Sequence, residues 1–551
     1  RRNDGERTVW RPKSALLQHL ANQWVGKFDM RRALRFAVVA ALAMLALPAA
    51  AQTLRVGVSS AVTSIDPHYH NLAPNDSLAA QIFDQLVEMD VRQRPQPGLA
   101  ESWKLIAPDT WEFRLRDTKF QNGNAFTADD VVFTLDRVPK VPNSPSSFAL
   151  YTRPVVSAEV VDPHTIRLHT NGVFPLLPIY LTNVAILNRA AAQGMTTEDF
   201  NTGKAAIGTG PFRFVAYKPG DRVELERYDG YWGSKPPWQH VTWRFIANDG
   251  SRVAALLAGD VDFIDFVPTE DLQRLRSDPK VKLWEQLGLR LIFLGLDQSR
   301  DGPSPFVSGP NGEKLDKNPL KDRRVREALS LAINRQAIVD RVMEGAAVPS
   351  GQFLPPGTYG YVPDLKAPPY DPAQAKKLLA EAGYPNGFRI ALHGPNDRYV
   401  NDARIIQAVG QMWQRAGVQT EVDPLPWTSY VAQANKQAFS AFLFGWGTAT
   451  AEPSDPLIAQ VATFDPAKGW GAANRGRYAN PALDKLIGEA LGTADNNARE
   501  KLLQDATRMA MQDVAIIPLH IQKNIWATRT GLTYVPTVGE ILMPANVKPV
   551  P

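Results

Sequence analysis

Strands and helices alternate through both halves of this sequence, which predicts an α/β protein and excludes a helical bundle or a β-sandwich. Two further observations support that class. A chain of 551 residues exceeds what one core fills and implies three or four domains, or two large lobes, at roughly 150 residues per domain. Hydrophobic residues at 44% and charged residues at 21% are ordinary for a globular protein, and no internal repeat or low-complexity tract interrupts them.

The elements follow in order. Met30 precedes Arg31, Arg32 and Arg35, then the apolar run Phe36–Leu47 and the small-residue stretch Ala49-Ala50-Ala51. That pattern predicts a secretory signal peptide over 30–51, cleaved after Ala51, and residues 1–29 read as an upstream extension of a misplaced start. The run is shorter than the roughly 20 residues that a bilayer span needs. The leader also explains the charge. The net +5 falls away once residues 1–51 are set aside, because 52 basic groups then face 53 acidic ones. No basic run remains to bind nucleic acid.

Thr53–Val58 reads as a strand, followed by the polar loop Asp66-Pro67-His68-Tyr69-His70-Asn71 and a helix carrying Leu78, Ile82, Leu86 and Val87 on one face. Trp103–Ile106 and Trp111–Leu115 form a hairpin, and Thr127 with Asp130 makes a capping box ahead of Val131. A second hairpin joins Phe212–Val215 to Val223–Glu226 across Lys218-Pro219-Gly220-Asp221. Ser251–Ala258 is a helix closed by Gly259, and Val261–Phe266 a strand. In the second half Asp322 caps a helix through Val325, Leu329 and Ala332. Asp371-Pro372 starts another that ends at Gly383, and Ala403–Ala416 stops at Gly417.

Catalytic motifs are missing. The chain has no cysteine, so disulfides, thiolate metal sites, cysteine nucleophiles and a lipid-modified N-terminal cysteine are excluded. It lacks G-x-S-x-G, S-x-x-K with its partner motifs, and H-E-x-x-H. Gly208-Thr209-Gly210 is not followed by the residues of a phosphate loop, and the acids from Asp260 to Asp271 depart from a calcium loop. His68 and His70 are the only close histidine pair, and so the only candidates for a metal site. A secreted hydrolase working through carboxylates alone remains an alternative, since spacing in three dimensions is not legible in sequence.

The order of segments resembles the extracellular solute-binding proteins of ABC importers, in the peptide/nickel-binding family 5 (cluster C). The resemblance rests on Ala100-Glu101-Ser102-Trp103, Thr127–Val131, Gly208–Phe212, Tyr231-Trp232-Gly233 and Leu257–Asp262. It continues with Asp322–Arg335, Tyr370-Asp371-Pro372 through Pro385, and Gly445-Trp446. It implies a two-lobed periplasmic binding protein-like II fold with an extra subdomain inserted in the first lobe. Lobe I would take 53–89, 205–294 and 517–551, the inserted subdomain 90–204, and lobe II 295–516. The crossings near Leu294–Asp297 and Ile516–Leu519 would serve as a hinge.

The function implied is capture of a peptide-like solute (oligopeptide, dipeptide or glutathione-type) between the lobes and delivery to the permease subunits and ATPases of an importer. The implied protein is a periplasmic monomer with no cofactor and no catalysis. The alternative within the fold is a nickel or metal-chelate binder, and a ligand-loaded partner of a chemoreceptor would use the same cleft. The resemblance also points to site residues. Trp446 offers an indole platform at a strand end, and Arg398 a fork for a ligand carboxylate. The loop acids Glu452 and Asp455 would hold an ammonium. Tyr69 and Asn71 are further candidate contacts. The family's dipeptide binders have an aspartate three residues after the tryptophan, where this chain has Ala449; the Trp446–Glu452 spacing is closer to the glutathione-binding branch.

Overall fold

The computed structural model describes residues 53–448 and 450–550. The expected extension, signal peptide and cleavage point lie outside the described residues, as does Ala449. Within them, β1 is Thr53–Val58, α1 Ala73–Ile82, β2 Ala100–Ala107 and β3 Thr110–Leu115. Next come α2 (Ala128–Arg137), β4 (Val155–Asp162), β5 (Thr165–Thr170), β6 (Phe212–Lys218), β7 (Arg222–Arg227), β8 (His240–Phe245), α3 (Asp249–Ala258) and β9 (Phe263–Ile264). The long strand β10 spans Val281–Leu296. Beyond it lie α4 (Arg323–Leu331), α5 (Pro372–Glu381), β11 (Arg389–Pro395), α6 (Asp402–Arg415), β12 (Gln419–Leu425), α7 (Trp427–Asn435) and β13 (Ala441–Gly447). The chain then forms α8 (Pro481–Leu491), α9 (Asn496–Gln512) and β14 (Ile517–Arg529).

One twelve-stranded sheet runs through the molecule in the order Val307–Ser308, β11, β13, β10, β14, β9, β1, β8, β7, β6, with β12 beside β11 and Ala347–Pro349 beside β14. Its two ends are covered by different cores. Leu54, Val56, Ile82 and Phe212 cluster at one end, and Leu294, Leu329, Ile406 and Leu443 at the other. A separate antiparallel sheet, β2-β3-β5-β4, has its own core of Phe113, Phe126, Val131 and Ile166. The fold is mixed α/β, and no helix among the described residues is long and apolar enough to cross a membrane.

The two halves of the sheet are joined by β10 and β14. Their pairing shifts register between Leu287 and Leu291, opposite Lys523 and Ile521. Before that break β10 pairs only with β14; from Arg290 onward it also pairs with β13. The crossings expected to serve as the hinge lie within this hydrogen-bonded ladder. Leu294 lies between Leu443 and Ile517, and the Asp297 N–H donates to the Ser440 carbonyl at 2.8 Å.

Two local expectations are corrected. The first helix ends at Ile82, so Leu86 and Val87 lie beyond it. The Gly208-Thr209-Gly210 turn takes over that helix end: Gly210 N–H donates to the Ile82 carbonyl at 2.9 Å, and a Cβ on Gly208 would lie 2.0 Å from the same oxygen. The strand expected over Val261–Phe266 is reduced to β9, because Phe266 turns left-handed at φ 42° and the Asp265 carboxylate accepts from the Ser59 N–H.

A ligand-binding cleft as the candidate functional site

The site grows from the C-terminal end of β13. Side chains alternate along a strand, so Phe442, Phe444 and Trp446 share a face; the first two are buried and Trp446 half-buried in the same cluster. The opposite face is held by Tyr399, whose hydroxyl donates to the Gly445 carbonyl at 3.2 Å. Only glycine fits there, since a Cβ on residue 445 would come within 2.8 Å of the Tyr399 ring.

Arg398 is fixed by the turn ahead of α6. The Asp402 carboxylate accepts from the backbone N–H groups of Arg398 and Tyr399, both at 2.9 Å, and Asn401 supplies the left-handed residue at φ 57°. The Arg398 guanidinium is exposed and lies 5.3 Å from the Tyr399 ring and 5.4 Å from Trp427. No carboxylate among the described residues pairs with it. Arg290, beside Gly447 in the ladder, is by contrast tied to Glu540 at 2.9 Å.

The loop after β13 divides the two expected acids. Asp455 accepts from the Trp446 indole N–H at 3.3 Å and stays half-buried. Glu452 is not offered to a ligand as expected: it is 1% exposed, and both its oxygens are taken by Arg499, with the Ser454 hydroxyl as a third donor. Its charge is spent inside the fold.

The first half supplies the facing wall. Asn71 donates from its amide to the Tyr151 hydroxyl at 3.4 Å, and the Tyr151 and Tyr180 rings meet edge-on at 5.6 Å. Burial pushes both phenols up to about 12, with the charge of Asp455 adding to each. Asp455 therefore bears on this aromatic wall from the other half of the chain. Tyr69 is half-buried, its carbonyl accepting from the Ser144 hydroxyl at 2.6 Å. A cavity of about 490 Å³ opens beside this wall, lined by Phe148, Asp76, Asp84, Glu88, Tyr231 and Met543 among others.

The metal reading of His68 and His70 finds no support in the geometry. His68 is fully buried, with Nε2 at 2.8 Å from the Ala185 carbonyl and Nδ1 at 3.0 Å from the Arg137 guanidinium. A carbonyl only accepts and a guanidinium only donates, so the ring is the neutral Nε2–H tautomer with both nitrogens engaged. Burial and Arg137 push its pKa down to about 4. His70 Nδ1 meets the Thr63 hydroxyl at 3.0 Å. Among the described residues no three His, Cys, Asp or Glu side chains are grouped to hold a metal ion.

Sequence reasoning missed Asp76, Tyr151 and Tyr180. Asp76 reads as an ordinary first-turn helix acid, and the two tyrosines lie in short irregular segments without a motif.

The architecture agrees with the comparisons. The family profile described as "Bacterial extracellular solute-binding proteins, family 5 Middle" matches residues 94–467. Heme-binding protein A of Haemophilus influenzae is 30% identical over 473 residues, 80% of this chain and 81% of that protein. The glutathione-binding protein GsiB of Escherichia coli K12 is 27% identical over 497 residues, 88% of this chain and 92% of that one. Among solved structures, HbpA2 from Haemophilus parasuis superposes with a TM-score of 0.76 at 24% identity, covering 90% of this chain and all of the other. A sheet divided into two cores, a relative 30% identical over 80% of the chain and a profile spanning most of the chain lead to one assignment: the protein belongs to family 5 of the bacterial extracellular solute-binding proteins.

Proposed function

We propose that the chain is the periplasmic substrate-binding component of an ABC importer. It takes a peptide-like solute into the cleft between its halves and presents the closed form to permease subunits and their ATPases. The observation that carries this reading is the exposed Arg398 guanidinium, without a carboxylate partner among the described residues, placed beside the rings of Tyr399 and Trp427. A guanidinium fork suits a ligand carboxylate, and an indole face accepts varied side chains. Heme-binding protein A and GsiB are both binding proteins, in keeping with capture rather than chemistry.

Closure places its hinge at the register break of β10 and β14. There the strands lose one another for the residues between Leu287 and Leu291, while the packed ends stay rigid. Solute binding shifts the population toward the closed form by its extra contacts there. The test is to purify the protein from its native host, denature it and identify the released solute by mass spectrometry. A peptide or glutathione-type molecule in stoichiometric amount supports the reading. A metal chelate or tetrapyrrole in its place refutes the peptide assignment.

A further inference from the structure

The two halves are linked at two points beside Arg398. The first is Asn401, in the same turn ahead of α6. Its amide nitrogen donates to the Val342 carbonyl at 2.8 Å and to the Thr269 hydroxyl at 3.0 Å. A carbonyl only accepts, so the amide orientation is fixed and both of its hydrogens are used. Val342 packs against the core of the second half. Thr269 belongs to the first: it is buried just ahead of the short helix Leu272–Ser277, whose Leu272 and Leu275 cluster with Val253, Val261 and Ile264.

The second point is Arg290. It lies on β10 past the register break, opposite Gly447 of β13, with its guanidinium 6.0 Å from the Tyr399 ring that Arg398 faces at 5.3 Å. Glu540 accepts from it through both oxygens, from Nε at 2.9 Å and from Nη2 at 3.1 Å. Glu540 is carried by the C-terminal segment, which is fastened to the first half. The Val538 N–H donates to the Val91 carbonyl and the Leu542 N–H to the Ser77 hydroxyl, both at 3.0 Å, and Leu542 is buried with Leu54 and Ile82. Both links therefore cross the break in β10 and β14. Rotation about that break parts them, because the partners in each link move with different cores. The Arg290 and Glu540 side chains are 19% and 26% exposed, so water can replace each partner when the pair opens. A fork between planar groups, in turn, re-forms in one geometry only.

We propose that Arg290–Glu540 and Asn401–Thr269 are the closure latch of the solute site. The four are positioning residues: they hold the Arg398 turn and the Tyr399 ring against the first half and do not touch the solute. This rests on the reading of the cleft as the solute site. A carboxylate seated on Arg398 steadies the turn that carries Asn401 and the ring shared with Arg290, so capture of the solute's acid end and closure become one event. Loss of a link lowers the closed population, and with it the apparent affinity for every solute by the same factor.

Thr269→Val and Glu540→Gln each remove one link with little change of shape, and melting curves establish that the variants fold. Small-angle scattering of the solute-free proteins reads closure. The radius of gyration should rise from wild type to either single variant and further in the double variant, with Glu540→Asp nearer to wild type than Glu540→Gln. Profiles that coincide with wild type throughout overturn the proposal, as does an expansion in Glu540→Gln that Glu540→Asp does not reduce. A casein hydrolysate of short peptides gives the second reading, by ultrafiltration and mass spectrometry. Retention by the double variant should fall about tenfold, with the relative amounts of the retained peptides unchanged. Undiminished retention, or a changed selection of peptides, overturns the positioning role. If wild type retains no peptide, the reading of the cleft as a peptide site fails instead, and the scattering comparison alone decides the latch.

Discussion

Glu452 and Arg499, 47 residues apart in sequence, form an ion pair inside the second half, with side chains 2% and 3% exposed. The pair ties the loop after β13 to α9. Its weight falls on the fold, because a buried charge whose partner is removed stays costly.

Glu452→Ala is accordingly expected to destabilise the protein by about 3–5 kcal/mol through the stranded Arg499. Glu452→Leu combined with Arg499→Leu should recover much of that loss. Urea denaturation of the three proteins measures it. If Glu452→Ala keeps wild-type stability and weakens solute binding alone, the acid serves the ligand after all.

Arg398 behaves in the opposite way. Its side chain is exposed and pairs with no carboxylate among the described residues, so Arg398→Ala should leave the denaturation midpoint unchanged. Affinity for the co-purifying solute should fall by about 1.5–3 kcal/mol, the worth of a hydrogen bond to a charged group. Calorimetry reads it, and unchanged affinity removes Arg398 from the site.

Trp446→Ala is expected to weaken the solute by roughly 1–2 kcal/mol through lost ring contact. It also releases Asp455 from the indole N–H that now holds it at 3.3 Å. Trp446→Phe keeps the ring and drops the N–H, so it separates the two effects. Retained affinity in Trp446→Phe assigns the contribution to the ring.

Acid sensitivity should come from two buried histidines. His68 is pushed down to about 4 by burial and Arg137, and His520 to about 3 by burial; neither ring nitrogen of His520 has a partner among the described residues. Their folded pKa values lie below the unfolded value of about 6.5. The unfolded chain therefore binds protons first. The stability these groups contribute is complete above pH 6.5 and is lost as pH falls toward 4 and 3. His520→Leu should flatten the fall in stability below pH 6.5. An unchanged slope would show that His520 does not drive it.

The parts of the fold legible in the sequence are those whose signals are local. Asp371 accepts from the Gln374 N–H at 2.9 Å, as an aspartate before a first-turn proline should, and Gly259 ends α3 at φ 82°. Trp446 could be placed at a strand end because the apolar run Phe442-Leu443-Phe444-Gly445 leads straight into it. Interactions between distant segments left no such mark. Glu452 in a polar loop looks ligand-facing until Arg499 arrives from α9. The end of α1 is set by a glycine turn more than a hundred residues later. Asp76 acquires its character only from the cavity that other segments close around it.

In the proposed mechanism solute is held between two halves that close about the register break in β10 and β14. Small-angle scattering of the solute-free and solute-saturated protein, with occupancy measured by native mass spectrometry, tests it most directly. Saturation should reduce the radius of gyration and stabilise the protein by about 2.7 kcal/mol at a hundredfold excess over Kd. Full occupancy with an unchanged scattering profile would contradict closure.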